Sequence, residues 1–153
     1  MADNAAVAWT WQWTIWNQMT KAHVAAYRLT HGKLGGEYRG APVLLLHHTG
    51  RKSGKQRVSP LLYLSDADDL VVVGSKGGSH KHPAWFVNLR EMPDTTVELG
   101  GEKRRVRVHV ASPEERERLW PRVVELYSDY ATYQERTERE IPLVMLSPAE
   151  PGR

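Results

Sequence analysis

The chain has 153 residues, 41% hydrophobic and 25% charged, proportions of one globular domain rather than of a disordered, collagenous or coiled-coil chain. Lys and Arg number 21 against 18 Asp and Glu, so a net charge of +3 does not by itself mark a nucleic-acid binder. The absence of Cys excludes a disulfide framework, a thiolate nucleophile and a Cys-ligated metal, and suits a reducing cytosol.

No Lys or Arg precedes Lys21, and Thr10, Gln12, Thr14, Asn17 and Gln18 interrupt the apolar start. A secretory signal is not expected, and no run of about 18 apolar residues predicts a spanning helix. From Trp9 to Thr30 the periodicity is helical. Thr14, Asn17, Gln18, Lys21 and Arg28 fall in one narrow wedge, while Trp9, Trp13, Trp16 and Tyr27 share the opposite face. So broad an apolar arc packs on the domain or on a subunit partner, or lies in a lipid interface where indole rings are at home. Residues 1–30 are therefore set apart as a Trp-rich amphipathic helix from a domain at 31–153.

The segment His31-Gly32-Lys33-Leu34-Gly35-Gly36 ends that helix, and the residues after it read as loop. Strands are expected at Ala41 to His48, Arg57 to Ser65 and Leu70 to Ser75, the last two joined by a turn at Asp66 to Asp69, which makes a meander. Pro83 opens a short helix to Arg90. Asp94 to Leu99 and Lys103 to Val110 form a hairpin across Gly100-Gly101, the second strand alternating Val106, Val108, Val110 with Arg105, Arg107, His109. Ser112-Pro113-Glu114-Glu115 is a capped helix start. This helix is expected to run to about Tyr133, kinked or restarted at Pro121, before a last strand at Ile141 to Leu146. Central strands with helices at both ends give an α+β fold, a small antiparallel barrel or sheet flanked by helices, and not a βαβ nucleotide fold.

The densest charge is Gly50-Arg51-Lys52-Ser53-Gly54-Lys55-Gln56-Arg57, with no acid before Asp66. Backbone amides, a hydroxyl and cations converging across two glycines make an anion site, and a solvated basic hairpin loop is the other reading. The order of residues is not that of a Walker A loop. Ser75-Lys76-Gly77-Gly78 adds a second flexible cationic loop at a strand end, on the same rim if the two meander strands are neighbours. His80, Lys81 and His82 extend this patch or are exposed loop residues, and no metal is expected. Tyr127, Tyr130 and Tyr133 recur at a spacing of three, so on one helix they share a side, either as a core stripe or as phenols able to hydrogen-bond and protonate a substrate. No G-x-S-x-G elbow or paired carboxylate is present, so the chemistry is expected to be borrowed from a cofactor. The basic loop contains no aromatic, which speaks against nucleic acid.

The stretches Ala41-Pro42-Val43, Gly50 through Leu61, Ser75-Lys76-Gly77-Gly78, His82-Pro83-Ala84-Trp85-Phe86-Val87-Asn88-Leu89 and Trp120-Pro121 to Tyr133 resemble the deazaflavin-dependent nitroreductase family of actinobacteria over about residues 30–148. The resemblance implies a split β-barrel, similar to flavin-mononucleotide-binding oxidases, that uses reduced F420 as hydride donor to quinones, activated enones or nitro compounds. It places cofactor binding on Arg51, Lys52, Lys55, Arg57, Ser59, Pro60, Leu62, Val73, Ser75, Lys76, Gly77 and Trp85. Substrate binding falls on Tyr127, Tyr130, Tyr133 and Leu62, with Trp16 at the entrance, and catalysis on Tyr130, Tyr133 and Ser75. Leu62 stands where nitroimidazole-activating relatives carry tyrosine, with Tyr63 expected on the opposite face, and Arg136 replaces a tryptophan; quinone or enone reduction is therefore the implied activity. FMN is the alternative cofactor, because its phosphate suits the loop while the acidic tail of F420 suits the number of cations. A non-enzymatic flavin-binding protein is the alternative of another class. The implied partners are a small-molecule electrophile, such as menaquinone, and a membrane surface through the N-terminal helix, with the protein a monomer or homodimer in the cytoplasm.

Overall fold

The structure, a computed structural model, describes residues 20–149. Helix α1 covers 20–29, so most of the expected Trp-rich helix, Trp16 included, lies outside the described residues. The end of α1 is fixed by polar chemistry as much as by apolar packing. Tyr27 is 1% exposed; its hydroxyl accepts the Gly100 N–H at 2.8 Å and faces the carbonyls of Val43 and Glu98 at 3.1 and 3.2 Å. Arg28, expected on the solvated wedge, instead grips the buried Glu98 with Nε and Nη2 at 3.1 and 2.7 Å, and His47 Nε2 reaches the same carboxylate at 2.6 Å. Gly32 stops the helix with a φ of +84°, returning its N–H to the Tyr27 carbonyl. Tyr27→Phe is expected to cost about 1–3 kcal/mol in urea unfolding, because the Gly100 N–H and two carbonyls then lose a buried partner.

The strands are β1 (Glu37–Tyr38), β2 (Ala41–Thr49), β3 (Gln56–Leu62), β4 (Leu64–Asp66), β5 (Asp69–Val73), β6 (Asp94–Leu99), β7 (Glu102–Val110) and β8 (Leu143–Pro148). All pairings are antiparallel, in the order β1-β2-β6-β7-β8-β5-β4, with β3 on β2. This is a curled, split antiparallel barrel with flanking helices, as the clustering of strands predicts. Period-two alternation sorts the strand residues to its two sides. Leu44, Leu46, Val72, Val97, Val106, Val144 and Leu146 fill the interior, plugged by Trp85, Phe86 and Leu89 of α2 (Ala84–Leu89). Val71, Val73, Leu143 and Met145 face outward under Leu119 and Val123 of α3 (Pro113–Leu126).

Four expectations need correction. The strand expected at Arg57 to Ser65 is two strands, divided at Tyr63, whose N–H turns to the Pro42 carbonyl at 3.0 Å. Beyond it β4 pairs with β5 rather than with β2, so β3 and β5 share no ladder and the barrel stays open along that seam. The segment after Gly36, read as loop, holds the short strand β1. The last strand begins at Leu143, two residues later than expected, because Ile141 N–H is taken by the Gln134 amide oxygen.

Finally, the last helix does not break at Pro121. The capping box at Ser112 and Glu115 forms as read, and α3 runs through Pro121 to Leu126. Pro121 and Glu117 both lie on the exposed face, so the carbonyl that loses its N–H partner is open to water. The break comes at Tyr127, which is extended (φ −148°, ψ 99°), before α4 (Asp129–Glu135).

Candidate cofactor-binding site

Loop 50–55 joins β2 to β3 at one mouth of the barrel. Its Gly50 N–H bonds the Lys55 carbonyl and the Gly54 N–H bonds the Gly50 carbonyl, at 2.9 and 2.8 Å, a closed turn that leaves the side chains of Arg51, Lys52, Lys55 and Arg57 exposed. None of these four forms an ion pair among the described residues. By contrast, Arg28, Arg105, Arg116, Arg118 and Arg122 are all spoken for by carboxylates. A cluster of unneutralised cations around a turn is what a phosphodiester or carboxylate-bearing ligand requires. A groove of about 530 Å³ continues this field onto α1, past Arg57, Arg28 and Lys21.

The loop is anchored from below. Arg51 N–H donates to Asn88 Oδ1 at 3.1 Å, Asn88 Nδ2 lies 3.0 Å from His48 Nδ1, and His48 Nε2 lies 2.9 Å from Ser59 Oγ. His48 and Asn88 are 3% and 6% exposed. Burial, with Arg57 and His47 nearby, pushes the His48 imidazole down to about 4. Neither residue was singled out from the sequence, where a lone His in a strand and an Asn in a helix carry no signal.

The second loop follows β5. Ser75 is right-handed and Lys76 left-handed (φ +44°), with Gly77 and Gly78 at +60° and +81°. That run of positive φ explains the glycine pair and leaves strain at Lys76. Arg139 holds the loop from behind: Nε donates to the Ser79 carbonyl at 2.8 Å, Nη1 to the Gly74 carbonyl at 3.1 Å and Nη2 to the Ser75 carbonyl at 2.8 Å. Nη1 also meets His82 Nδ1 at 3.1 Å, and the His82 ring packs on Phe86. His82 is thus half-buried structure and not the exposed loop residue expected. Helix α2 spans the gap between the loops, tied to the first by Asn88 and to the second through His82 and Phe86.

Gly78 packs against α4 at Tyr133 and Arg136, so the second loop lies against the helix that carries Tyr130 and Tyr133. Tyr130 and Tyr133 ride on α4 while Tyr127 stands at the break before it, so the three do not share one helix face as spacing implied, yet they form one cluster. Tyr127 and Tyr130 rings meet at 5.0 Å, and the Tyr127 and Tyr133 hydroxyls at 3.4 Å. The Tyr133 hydroxyl, with burial, raises the Tyr127 phenol above its usual range, and burial raises Tyr130. Both phenols therefore stay protonated at neutral pH and are hydrogen-bond donors. Tyr130 is 5% exposed, but its hydroxyl has no partner among the described residues. Tyr38, not anticipated, adds a fourth ring 6.1 Å from Tyr127; Arg39 lies over it at 5.4 Å and pairs with Asp129 at 3.3 Å.

The remaining candidates divide by burial. Leu62 packs in the cluster that holds the three tyrosines, while Tyr63, at the break between β3 and β4 rather than on one continuous strand, packs inside the barrel. The side chains of Val73 and Trp85 are core, each 7% exposed, so neither presents its side chain on the surface. Ser59 and Pro60 are half-exposed on β3 at the open seam, and Lys76 and Gly77 are exposed. Among the described residues no three His, Asp or Glu side chains assemble as a metal site, and no helix is long and apolar enough to cross a membrane.

A split antiparallel barrel with uncompensated cations at its mouth, an open edge on β3 and neutral phenols alongside has the features of a barrel for an acidic, ring-bearing cofactor. Residues 19–148 match the model of the F420H(2)-dependent quinone reductase family, and the chain belongs to that family. It is an F420-dependent reductase, and F420 is its cofactor. The chain is 47% identical over 117 residues, 76% of its length and 98% of the relative's, to the provisionally named F420H(2)-dependent quinone reductase Rv3178 of Mycobacterium tuberculosis. Among solved structures it is similar to an F420-H2 dependent reductase, FDR-A (TM-score 0.63, 37% identity, 69% of this chain and 94% of that one). It is also similar to a domain-swapped dimer (TM-score 0.66, 33% identity, 88% and 98%).

Proposed function

We propose that the protein reduces a quinone by hydride transfer, with F420 held along the seam between the two cationic loops. The single observation that carries this reading is the exposed set Arg51, Lys52, Lys55 and Arg57, none of which forms an ion pair among the described residues. The cations take the phosphodiester and acidic tail. The backbone of Ser59, Pro60, Leu62, Val73, Ser75, Lys76 and Gly77 holds the ring edge, with Trp85 beneath. When bound and reduced, F420 supplies the hydride.

The chain's own residues orient the acceptor and manage its charge. Tyr127, Tyr130, Tyr133 and Leu62 wall the substrate side. As the hydride arrives at a quinone, negative charge develops on its carbonyl oxygen. The Ser75 hydroxyl and the Tyr130 or Tyr133 phenol hydrogen-bond that oxygen, and a phenol delivers the proton that completes the two-electron reduction. Holding the partners in register supplies much of the rate. Leu62 packs with the tyrosines and Tyr63 does not, so position 62 lacks the phenol that the resemblance gives nitroimidazole-activating relatives there, which favours a quinone over a nitro compound; an activated enone presents the same kind of electrophile. The indole-rich composition of residues 1–19 suits contact with a lipid surface, and the domain-swapped relative supports a homodimer.

Titration with F420 and with FMN, read by tryptophan fluorescence, tests the cofactor site. Micromolar F420 binding is expected, weakened about tenfold or more in Lys52→Ala and in Arg57→Ala as charge-assisted contacts are lost. Tight FMN binding with none of F420 would overturn the assignment. With a soluble naphthoquinone, Tyr130→Phe should lower turnover more than F420 affinity; unchanged turnover removes Tyr130 from the chemistry.

A further inference from the structure

The path from the basic loop into the barrel has only one consistent arrangement of hydrogens. Arg51 N–H must donate, so the Asn88 atom it meets at 3.1 Å is the amide oxygen. The Asn88 amide nitrogen then faces His48 Nδ1 at 3.0 Å, and because that nitrogen only donates, Nδ1 must accept. The imidazole proton therefore sits on Nε2, 2.9 Å from Ser59 Oγ, which must accept it. The remaining hydrogen of Ser59 has no acceptor among the described residues, and no sealed side-chain polar atom lacks a partner. Ser59 is half-exposed on β3, at the seam where no further strand pairs.

We propose that His48 is a positioning residue for the cofactor: with Asn88 it keeps the Ser59 hydroxyl hydrogen free to be donated at the open seam and, through the same Asn88, pins the Arg51 turn. A serine free to rotate offers a ligand either a lone pair or a proton. Here His48 occupies one of the two Oγ lone pairs and cannot take the hydroxyl hydrogen, so that hydrogen stays available for an anionic or carbonyl oxygen of the bound cofactor. The buried His48 is suited to this because Asn88 would meet a protonated ring donor to donor, and burial beside Arg57 and His47 keeps the ring neutral. One relay thus matches the polarity of the β3 hydroxyl to the charge of the loop above it. The inference rests on the reading that this loop and β3 hold F420.

Two measurements on the full chain test it. In ligand-free protein at pH 7, the ring-nitrogen shifts of His48 should report a neutral imidazole with its proton on Nε2. A charged ring, or the proton on Nδ1, would overturn the proposal. For binding, F420 affinity is compared in wild type, Ser59→Ala, His48→Phe and the double variant. Ser59→Ala should weaken F420 about tenfold, the loss of one charge-assisted hydrogen bond. His48→Phe should weaken it at least as much, and the double variant no more than His48→Phe alone. Additive losses, or full affinity in a folded His48→Phe, would overturn it. His48→Gln, whose amide nitrogen reaches the Nε2 position, keeps the test open if the phenylalanine variant misfolds: in that background Ser59→Ala should again cost affinity, and no further loss would count against the proposal. Failure of wild type to bind F420 at all would instead overturn the cofactor-site reading, leaving the tautomer result standing.

Discussion

Lowering the pH from 6.5 to about 4 is expected to remove roughly 3 kcal/mol of folding stability through His48 alone. In the unfolded chain the imidazole takes its proton near 6.5; in the folded barrel, burial and then Arg57 and His47 delay protonation to about 4. Between those values the unfolded state binds more protons, so stability falls as pH falls. Above 6.5 the contribution is constant. His82, depressed chiefly by burial and then by Arg139 and Arg90, acts in the same direction. Glu98 is held below the usual carboxylate range by Arg28, against burial, with His47 assisting; its contribution is present above its ordinary value and lost only at still lower pH. Urea unfolding of wild type and His48→Phe at pH 7, 5.5 and 4.5 separates these groups. The variant should lose much less stability than wild type over that span, and parallel losses in the two proteins would sink the assignment.

That dependence was invisible in the sequence, and the reason applies to the site as a whole. Strand alternation, the glycine hairpin at Gly100-Gly101 and the capping box at Ser112 are local patterns, and each is found where it was read. The exposed cluster of cations at 51–57 was legible because charge density is itself a sequence property. What escaped the sequence are contacts between residues far apart in the chain: Arg51 with Asn88, His48 with Ser59, Arg139 with the carbonyls of Gly74, Ser75 and Ser79, Arg28 with Glu98. Arg139 satisfies carbonyls with no carboxylate beside it, a role that no spacing announces. The tyrosines show the intermediate case. Their spacing correctly implied proximity, but by assuming one helix it missed the extended Tyr127 and so the hydroxyl pair that Tyr127 makes with Tyr133.

Replacing Gly78 with Ala is expected to lower quinone turnover by about 100-fold, because this glycine sets the spacing between the Ser75 loop and the tyrosine helix. Its φ is +81°, and a Cβ there would lie 2.7 Å from the Tyr133 carbonyl oxygen and 3.0 Å from both Tyr133 Cα and Arg136 Cβ. Two of those three atoms are α4 backbone, so no side-chain rotation relieves the clash and α4 itself must move. The loop cannot yield instead, since Arg139 holds the carbonyls on either side of it. A shift of α4 carries Tyr130 and Tyr133 away from Ser75 together, which costs alignment rather than any single hydrogen bond. The backbone cost of a left-handed alanine, about 1 kcal/mol, has to be separated from this displacement. Gly40→Ala provides the separation, with φ +83° and nothing within 4 Å of its Cβ: it should lose similar backbone stability while turning over normally. F420 affinity in Gly78→Ala should fall less than turnover, because the cations of loop 50–57 are untouched. Equal turnover in the Gly78 and Gly40 variants would show that the Ser75 loop and α4 do not act as one site, and the proposed division of labour between serine and phenol would fall with it.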